Sequence, residues 1–178
     1  MLHAIQRTAI LLSAGVRLTT SAMRCPHTQL RLRLGAAEIR DTAAGLIKGL
    51  ETAANDIESG NTQDALLAWT RATDAVAVGS AEVCLPALIA TDAEARDAGA
   101  AAKRSIIDAF GNCYGRKTLY DAIKASETTD PLLARARDKH VARFEANGLA
   151  LADAAAREQV AKLKLELGAE CAAMEQEI

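Results

Sequence analysis

The chain has 178 residues, half of them apolar, with 21 Lys plus Arg set against 23 Asp plus Glu. That length and apolar content suffice for one domain with a real hydrophobic core, and they exclude a disordered composition. The near-balance of charge lacks the basic excess that draws a protein onto nucleic-acid phosphates, so nucleic acid is not an expected partner. Alanine and leucine supply most of the apolar residues, while one Trp, two Tyr and two Phe are too few for an aromatic-rich sheet. The expected class is all-α, a bundle of about six helices ending in one long amphipathic helix.

From Met1 to Ala37 no acidic residue occurs, while Arg7, Arg17, Arg24, Arg31 and Arg33 recur among Ser, Thr, Ala and Leu. This is the composition of a mitochondrial transit peptide, because an arginine-bearing amphipathic segment is drawn to anionic membranes and along an inside-negative potential. A secretory signal would use the apolar run from Ala9 to Val16, but Arg17 interrupts it and further bases follow. Residues 1–29 are therefore expected to be a leader, with cytoplasmic residence as the alternative, and 30–178 a helical domain. No stretch is read as the ~20 apolar residues that span a bilayer.

Past the leader, Ile39, Ala43, Leu46, Ile47, Leu50, Ala54 and Ile57 recur at spacings of three and four, which places them on one face of a helix. Ser59-Gly60-Asn61 ends it. Thr62 is the expected cap of a second helix with Leu66, Trp69, Thr73 and Val76 inside, and Gly79-Ser80 is expected to break the pattern before a third piece, Val83 to Ile89, kinked or opened by Pro86. Thr91-Asp92-Ala93-Glu94 has capping-box spacing ahead of Ala95, Ala98, Ala102, Ile106, Ala109 and Phe110. Gly111-Asn112 is its expected stop, followed by a short helix carrying Leu119, Tyr120 and Ile123. Asp130-Pro131 then joins a capping carboxylate to a first-turn proline ahead of Leu133, Arg137, His140, Val141 and Phe144, with Asn147-Gly148 as the stop.

The last segment repeats Ala156, Val160, Leu163, Leu167, Cys171, Met174 and Ile178 at spacings of three and four. A helix of about 26 residues would extend about 39 Å. Glu158, Lys162, Glu166 and Glu170 form a charged row on another face, read as solvated. The apolar stripe runs to Ile178 with no cap or basic final turn, and such a face wants a partner surface, either a continuation of the polypeptide or a partner helix.

Candidate chemistry is sparse. Cys25, Cys84, Cys113 and Cys171 form no C-x-x-C pair, and His3, His27 and His140 are not followed by E-x-x-H, so no metal-ligating or catalytic residue is assigned. His140 is expected to be a surface or packing residue. Gly111 to Thr118 resembles a phosphate loop in composition, yet Arg116 intrudes between the second glycine and Lys117, and a helix rather than a strand precedes it. Cys113, near Arg116 and Lys117, has a setting that could lower a thiol pKa, but no histidine close in sequence could serve as its base. The carboxylates are all expected to be caps or exposed charge partners.

Leu30-Arg31-Leu32-Arg33-Leu34, Ile39 and Leu46-Ile47 are followed by Cys84-Leu85-Pro86, Ala95-Arg96-Asp97-Ala98, Lys103, Phe110 and Leu119-Tyr120. Arg143, Asn147-Gly148-Leu149, Leu151, Arg157, Val160, Leu163-Lys164, Leu167 and Cys171 complete the series. This ordered set resembles the N-terminal region of the thimet oligopeptidase, neurolysin and saccharolysin family of zinc metallopeptidases, most densely at the N-G-L turn feeding a long helix. The chain departs from the family pattern at Gly111 and Gly115, and by carrying alanine at many of its polar and aromatic positions. The resemblance implies a non-catalytic helical segment that helps wall a channel for short peptides. The family's zinc, held by H-E-x-x-H and a later glutamate, would belong to a C-terminal catalytic portion, so this chain alone is expected to be inactive. The alternative expectation is a stand-alone helical interaction module that uses the Ala156–Ile178 face.

Overall fold

The computed structural model describes residues 34–176, apart from the side chains at 161, 165, 169 and 172–176. The expected leader, with His3, Cys25 and His27, lies outside the described residues, as does Ile178. The described chain is all helical: α1 (Ala36–Glu58), α2 (Ala65–Cys84), the short α3 (Pro86–Ile89), α4 (Ala93–Tyr114), α5 (Lys117–Ala125), α6 (Pro131–Phe144), a π-helical turn (Glu145–Leu149) and α7 (Ala154–Gln176). The all-α bundle expected from composition is the fold.

α1 starts where the Glu38 carboxylate accepts the Gly35 N–H at 3.1 Å, which satisfies one of the backbone donors left open at any helix start. Its stripe Ile39, Ala43, Leu50, Ala54 and Ile57 is buried, and it packs most extensively against α4 and α2. The facing surface of α4 is small: Ala95, Ala98, Ala102 and Ala109 are buried there with Ile106. Alanine faces bring helix axes close at little side-chain entropy cost, but they bury little area per residue.

Four of the expected helix boundaries move, two of them on α2. α2 is capped by Asp64, whose carboxylate accepts the Leu67 N–H at 2.9 Å, not by Thr62. It also runs through Gly79-Ser80 to Cys84, because Gly79 sits where an added Cβ would lie 2.6 Å from Leu46 Cδ2, so that glycine serves close packing on α1. The Ser80 hydroxyl turns back onto the Ala77 carbonyl. Its inner face is as the spacing indicates, with Leu66, Trp69, Thr73 and Val76 buried, and Pro86 does open α3. By length and composition the Ala65–Ile89 stretch is long and apolar enough to cross a membrane, but a core helix meets the same criteria, and among the described residues there is no clear transmembrane segment. In this fold its inner residues form part of the core.

α4 is capped by Asp92 through the Ala95 N–H at 3.0 Å, so the box starting at Thr91 does not form; Glu94 reaches Arg40 of α1 instead, at 3.0 Å. The helix passes Gly111-Asn112 and stops at Gly115. Gly99 lies against α3, where a Cβ would meet Ala87 N at 2.7 Å and Val83 O at 3.2 Å, so backbone approaches backbone there. Arg116 leaves that turn to bond Asn55 at 2.7 Å and Glu58 at 3.2 Å, tying the α4–α5 connection to the end of α1. Asp130 caps α6 through the Leu132 N–H, with Pro131 in the first turn.

The core closes around Trp69, Phe144, Leu119 and Ile123, all essentially inaccessible. Truncating Phe144 to Ala removes the side chain that touches Trp69, Tyr114 and Tyr120. It is expected to cost about 3–5 kcal/mol in urea unfolding, whereas Leu132→Ala, at a residue 77% exposed, should change stability by less than about 0.5 kcal/mol. Gly99→Ala should cost about 1–3 kcal/mol, because the atoms it meets are backbone and cannot rotate away.

Candidate functional site

Two places carry side chains beyond ordinary packing. In the first, a buried polar cluster, Tyr114 on α4 meets His140 on α6 with its hydroxyl 2.9 Å from Nδ1. Thr70 on α2 lies 3.5 Å from Nε2. The Thr70 hydroxyl proton is committed to the Leu66 carbonyl at 2.8 Å, so its oxygen is left to accept from Nε2–H. The neutral ring then carries its proton on Nε2, and Nδ1 accepts from Tyr114. Arg143 donates toward the same phenol oxygen at 3.5 Å, and its guanidinium lies 6.0 Å from the ring centroid. Trp69 Nε1 is buried with no well-formed hydrogen bond, although it is close enough to favour the phenolate of Tyr114 slightly.

This cluster is poor machinery for proton transfer. Burial pushes the His140 imidazole down to about 4, with Arg143 adding to the effect and Asp74 opposing it, and burial raises Tyr114 against the pull of Arg143. Both groups are closed over by Trp69 and Phe144, so neither reaches a substrate. His140 is a satisfied core histidine, 7% exposed. The cluster's role is to cross-link three helices with directional bonds inside an apolar junction.

Cys113 is fully buried, and burial raises its thiol pKa against the opposing pull of Arg116, which corrects the expectation that nearby bases could activate it. Cys84 is raised in the same way. Gly111 to Thr118 forms the last turn of α4, a two-residue break at Gly115-Arg116 and the start of α5, with Arg116 spent on α1 rather than on a phosphate. Glu82 is buried, contrary to the expectation that every carboxylate would be a cap or an exposed partner. Among the described residues no group of three His, Cys, Asp or Glu side chains comes together in a way that could hold a metal ion. The surface indentations are lined by Glu127, Thr128, Thr129 and Arg137, or by small residues of α1 and α4 such as Ala43, Ala98 and Ala102, and neither presents a catalytic set.

The second place is the turn Glu145–Leu149 with α7. Gly148 has φ of 95°, a left-handed conformation that glycine adopts without strain, and Val160 of α7 packs over it. Lys164 donates to the Ala146 carbonyl at 2.7 Å and to the Asn147 side chain. Arg157 donates to the carbonyls of Leu151 and Ala152, at 2.8 and 3.3 Å. Arg96 repeats that device on Ala90 and Thr91, ahead of α4. On the other side, Glu145 accepts from the Tyr120 hydroxyl at 3.0 Å, and Lys124 completes the group 3.7 Å from Glu145. α7 therefore leaves the bundle at an angle fixed by hydrogen bonds.

Beyond Val160 the cover ends: Leu163 is 55% and Leu167 64% exposed, with Cys171 exposed after them. In sequence, alanines and Leu165 also place apolar residues off the main stripe. The residues of the Asn147-Gly148-Leu149 motif and Arg157, Val160 and Lys164 are brought together here; the Cys113 and Gly111–Thr118 candidates are elsewhere, on the α4–α5 connection. No family model, no curated protein and no solved structure matches this chain.

Three outcomes follow from these geometries. The unfolded chain takes up a proton at histidine near pH 6.5 while folded His140 stays neutral to about 4, so stability should fall as pH drops through that window, by roughly 2–3 kcal/mol. Urea titrations at several pH values check this, with His140→Gln expected to flatten the change. A thiol reagent should label Cys171 rapidly and Cys113 only on unfolding. Gly148→Ala should destabilise the turn by about 1–2 kcal/mol, read as increased proteolysis between 145 and 153.

Proposed function

We propose that this chain is the N-terminal, non-catalytic helical segment of a thimet-oligopeptidase-like zinc metalloendopeptidase. In the complete enzyme, zinc-activated water and a glutamate base in the C-terminal catalytic portion would hydrolyse short peptides. The helices of this segment would help to wall the channel that admits such peptides, and the chain alone hydrolyses nothing. The proposal includes a mitochondrial address, from the arginine-bearing, acid-free leader, with a cytoplasmic enzyme as the alternative.

The observation that carries this reading is the turn at Asn147-Gly148-Leu149. The densest part of the resemblance coincides with a left-handed glycine packed under Val160, and with a lysine at 164 that fastens the new helix to the turn. A turn fixed that firmly is costly to build unless the direction of the following helix matters. The bare leucines at 163 and 167 fit a helix that rests on the remainder of the enzyme.

A second reading, a stand-alone helical module that docks a partner helix on the Ala156–Ile178 face, draws on the same exposed leucines. The test is made on the purified chain with a quenched short peptide, with zinc content measured in parallel and repeated with a chelator. No bound zinc and no turnover are expected from the chain alone, with chelator-sensitive cleavage appearing when the encoding transcript is expressed together with an in-frame H-E-x-x-H portion downstream. Stoichiometric zinc with chelator-sensitive cleavage by these 178 residues would overturn the reading. A transcript that offers no such portion would favour the module.

A further inference from the structure

The charges on α7 are arranged against its own stability. Residues 157–164 hold Arg157, Lys162 and Lys164 against one acid, Glu158, whereas 165–176 hold Glu166, Glu170 and Glu175 with no base. A helix favours acids in its first turns and bases in its last, because its N-terminus carries partial positive charge and its C-terminus partial negative charge. Here the basic half comes first and the acidic half last, and the last turn has no basic residue. The Lys162–Glu166 contact, 3.9 Å between exposed groups, compensates one pair and leaves the later glutamates facing a run of like charge.

The same helix presents its uncovered leucines, 163 and 167, near its middle, where the basic half gives way to the acidic one. Such a pattern is complementary to itself only when reversed. We propose that α7 pairs with α7 of a second copy of this chain in antiparallel orientation. Leu163 and Leu167 of one copy then abut Leu167 and Leu163 of the other, and the basic half of each helix lies along the acidic half of its partner. A parallel pair would bury the same leucines but set three glutamates beside three, which opposes association. The antiparallel pair also relieves each helix's unfavourable dipole, since each acidic C-terminal half gains the bases and the positive N-terminal end of its neighbour. The glycine turn and the Lys164 anchor hold α7 out from the bundle, so that this face is presented before any partner arrives. The inference concerns the chain by itself and does not rest on the peptidase reading; the remainder of an enzyme, if joined to it, would compete for the same face.

The test is the association state of the purified chain by sedimentation equilibrium, up to about 100 µM. A monomer–dimer equilibrium is expected, weakened several-fold when salt rises from about 0.05 to about 0.5 M. Leu167→Glu should weaken it by at least about tenfold with the helical circular dichroism unchanged. Glu166→Lys with Glu170→Lys makes α7 predominantly basic from 157 to 170, and Gln159→Glu with Lys162→Glu makes it more uniformly acidic; each variant alone should be monomeric, and the two mixed should form a heterodimer. Mild oxidation reports orientation, because Cys171 residues in the antiparallel pair are on the order of 18 Å apart and cannot join. A chain that stays monomeric at about 100 µM overturns the proposal, as does a dimer indifferent to Leu167→Glu. A Cys171–Cys171 disulfide formed within the dimer would mean parallel pairing, and a monomer whose α7 is already shielded would mean that another part of this chain covers the face; either overturns it too.

Discussion

All five aromatic side chains of this sequence meet in one place. Trp69, Phe110, Tyr114, Tyr120 and Phe144 are joined through ring contacts between 4.7 and 6.4 Å, with Tyr114 and Phe144 the closest pair. The rest of the fold depends on this junction, because helices faced with alanine approach closely but bury little area, and four of them must converge on something large enough to exclude water. Tyr114 and His140 add directional bonds to that volume. A core of alanine alone would tolerate helices sliding along one another; a phenol bonded to an imidazole on another helix does not.

The junction also explains why its ionisable groups are inert. A histidine held near pKa 4 and a tyrosine raised above its usual value are perturbed in the way that catalytic groups often are. Here the cause of both shifts is burial under rings with no approach for a ligand, so the perturbation marks structure. Cys113 obeys the same logic: bases nearby in sequence do less to a thiol than the apolar surroundings that enclose it. What remains for function is the turn that follows Phe144 and the helix beyond it, where hydrogen bonds rather than burial fix the geometry and apolar side chains are left uncovered.

Much of this was legible in the residues. The helical class, the inner face of α1 from Ile39 to Ile57, the face Leu66–Trp69–Thr73–Val76, the Asp130-Pro131 start and the Asn147-Gly148 stop all follow from spacing and cap chemistry that act within a few residues. Where spacing failed, a local signal was outvoted by distant packing or by a stronger cap one or two residues away. Gly79 reads as a breaker, yet it serves close approach to Leu46, as Gly99, which carried no sequence signal, serves approach to the α3 backbone. Thr62 and Thr91 read as caps, but Asp64 and Asp92, nearer the first packed residues, supply the bond. The Tyr114–His140–Thr70 link left no local signal, since it joins residues 26 and 70 positions apart; only the rarity of aromatic residues hinted that they would gather. The burial of Glu82 likewise depends on tertiary contacts that spacing does not encode.

The described residues divide into a bundle closed by its aromatic junction and a final helix held out from it with its leucines at 163 and 167 bare. Native-state hydrogen exchange on the dilute chain, at about 1 µM where self-pairing is suppressed, tests that division most directly. The account predicts that amides in α1, α2 and α4 exchange only through global unfolding, while those from 163 to 176 exchange orders of magnitude faster, behind a protected Glu145–Val160 turn. Protection of 163–176 equal to that of α1 in the dilute chain would contradict it, because the face assigned to a partner would already be covered.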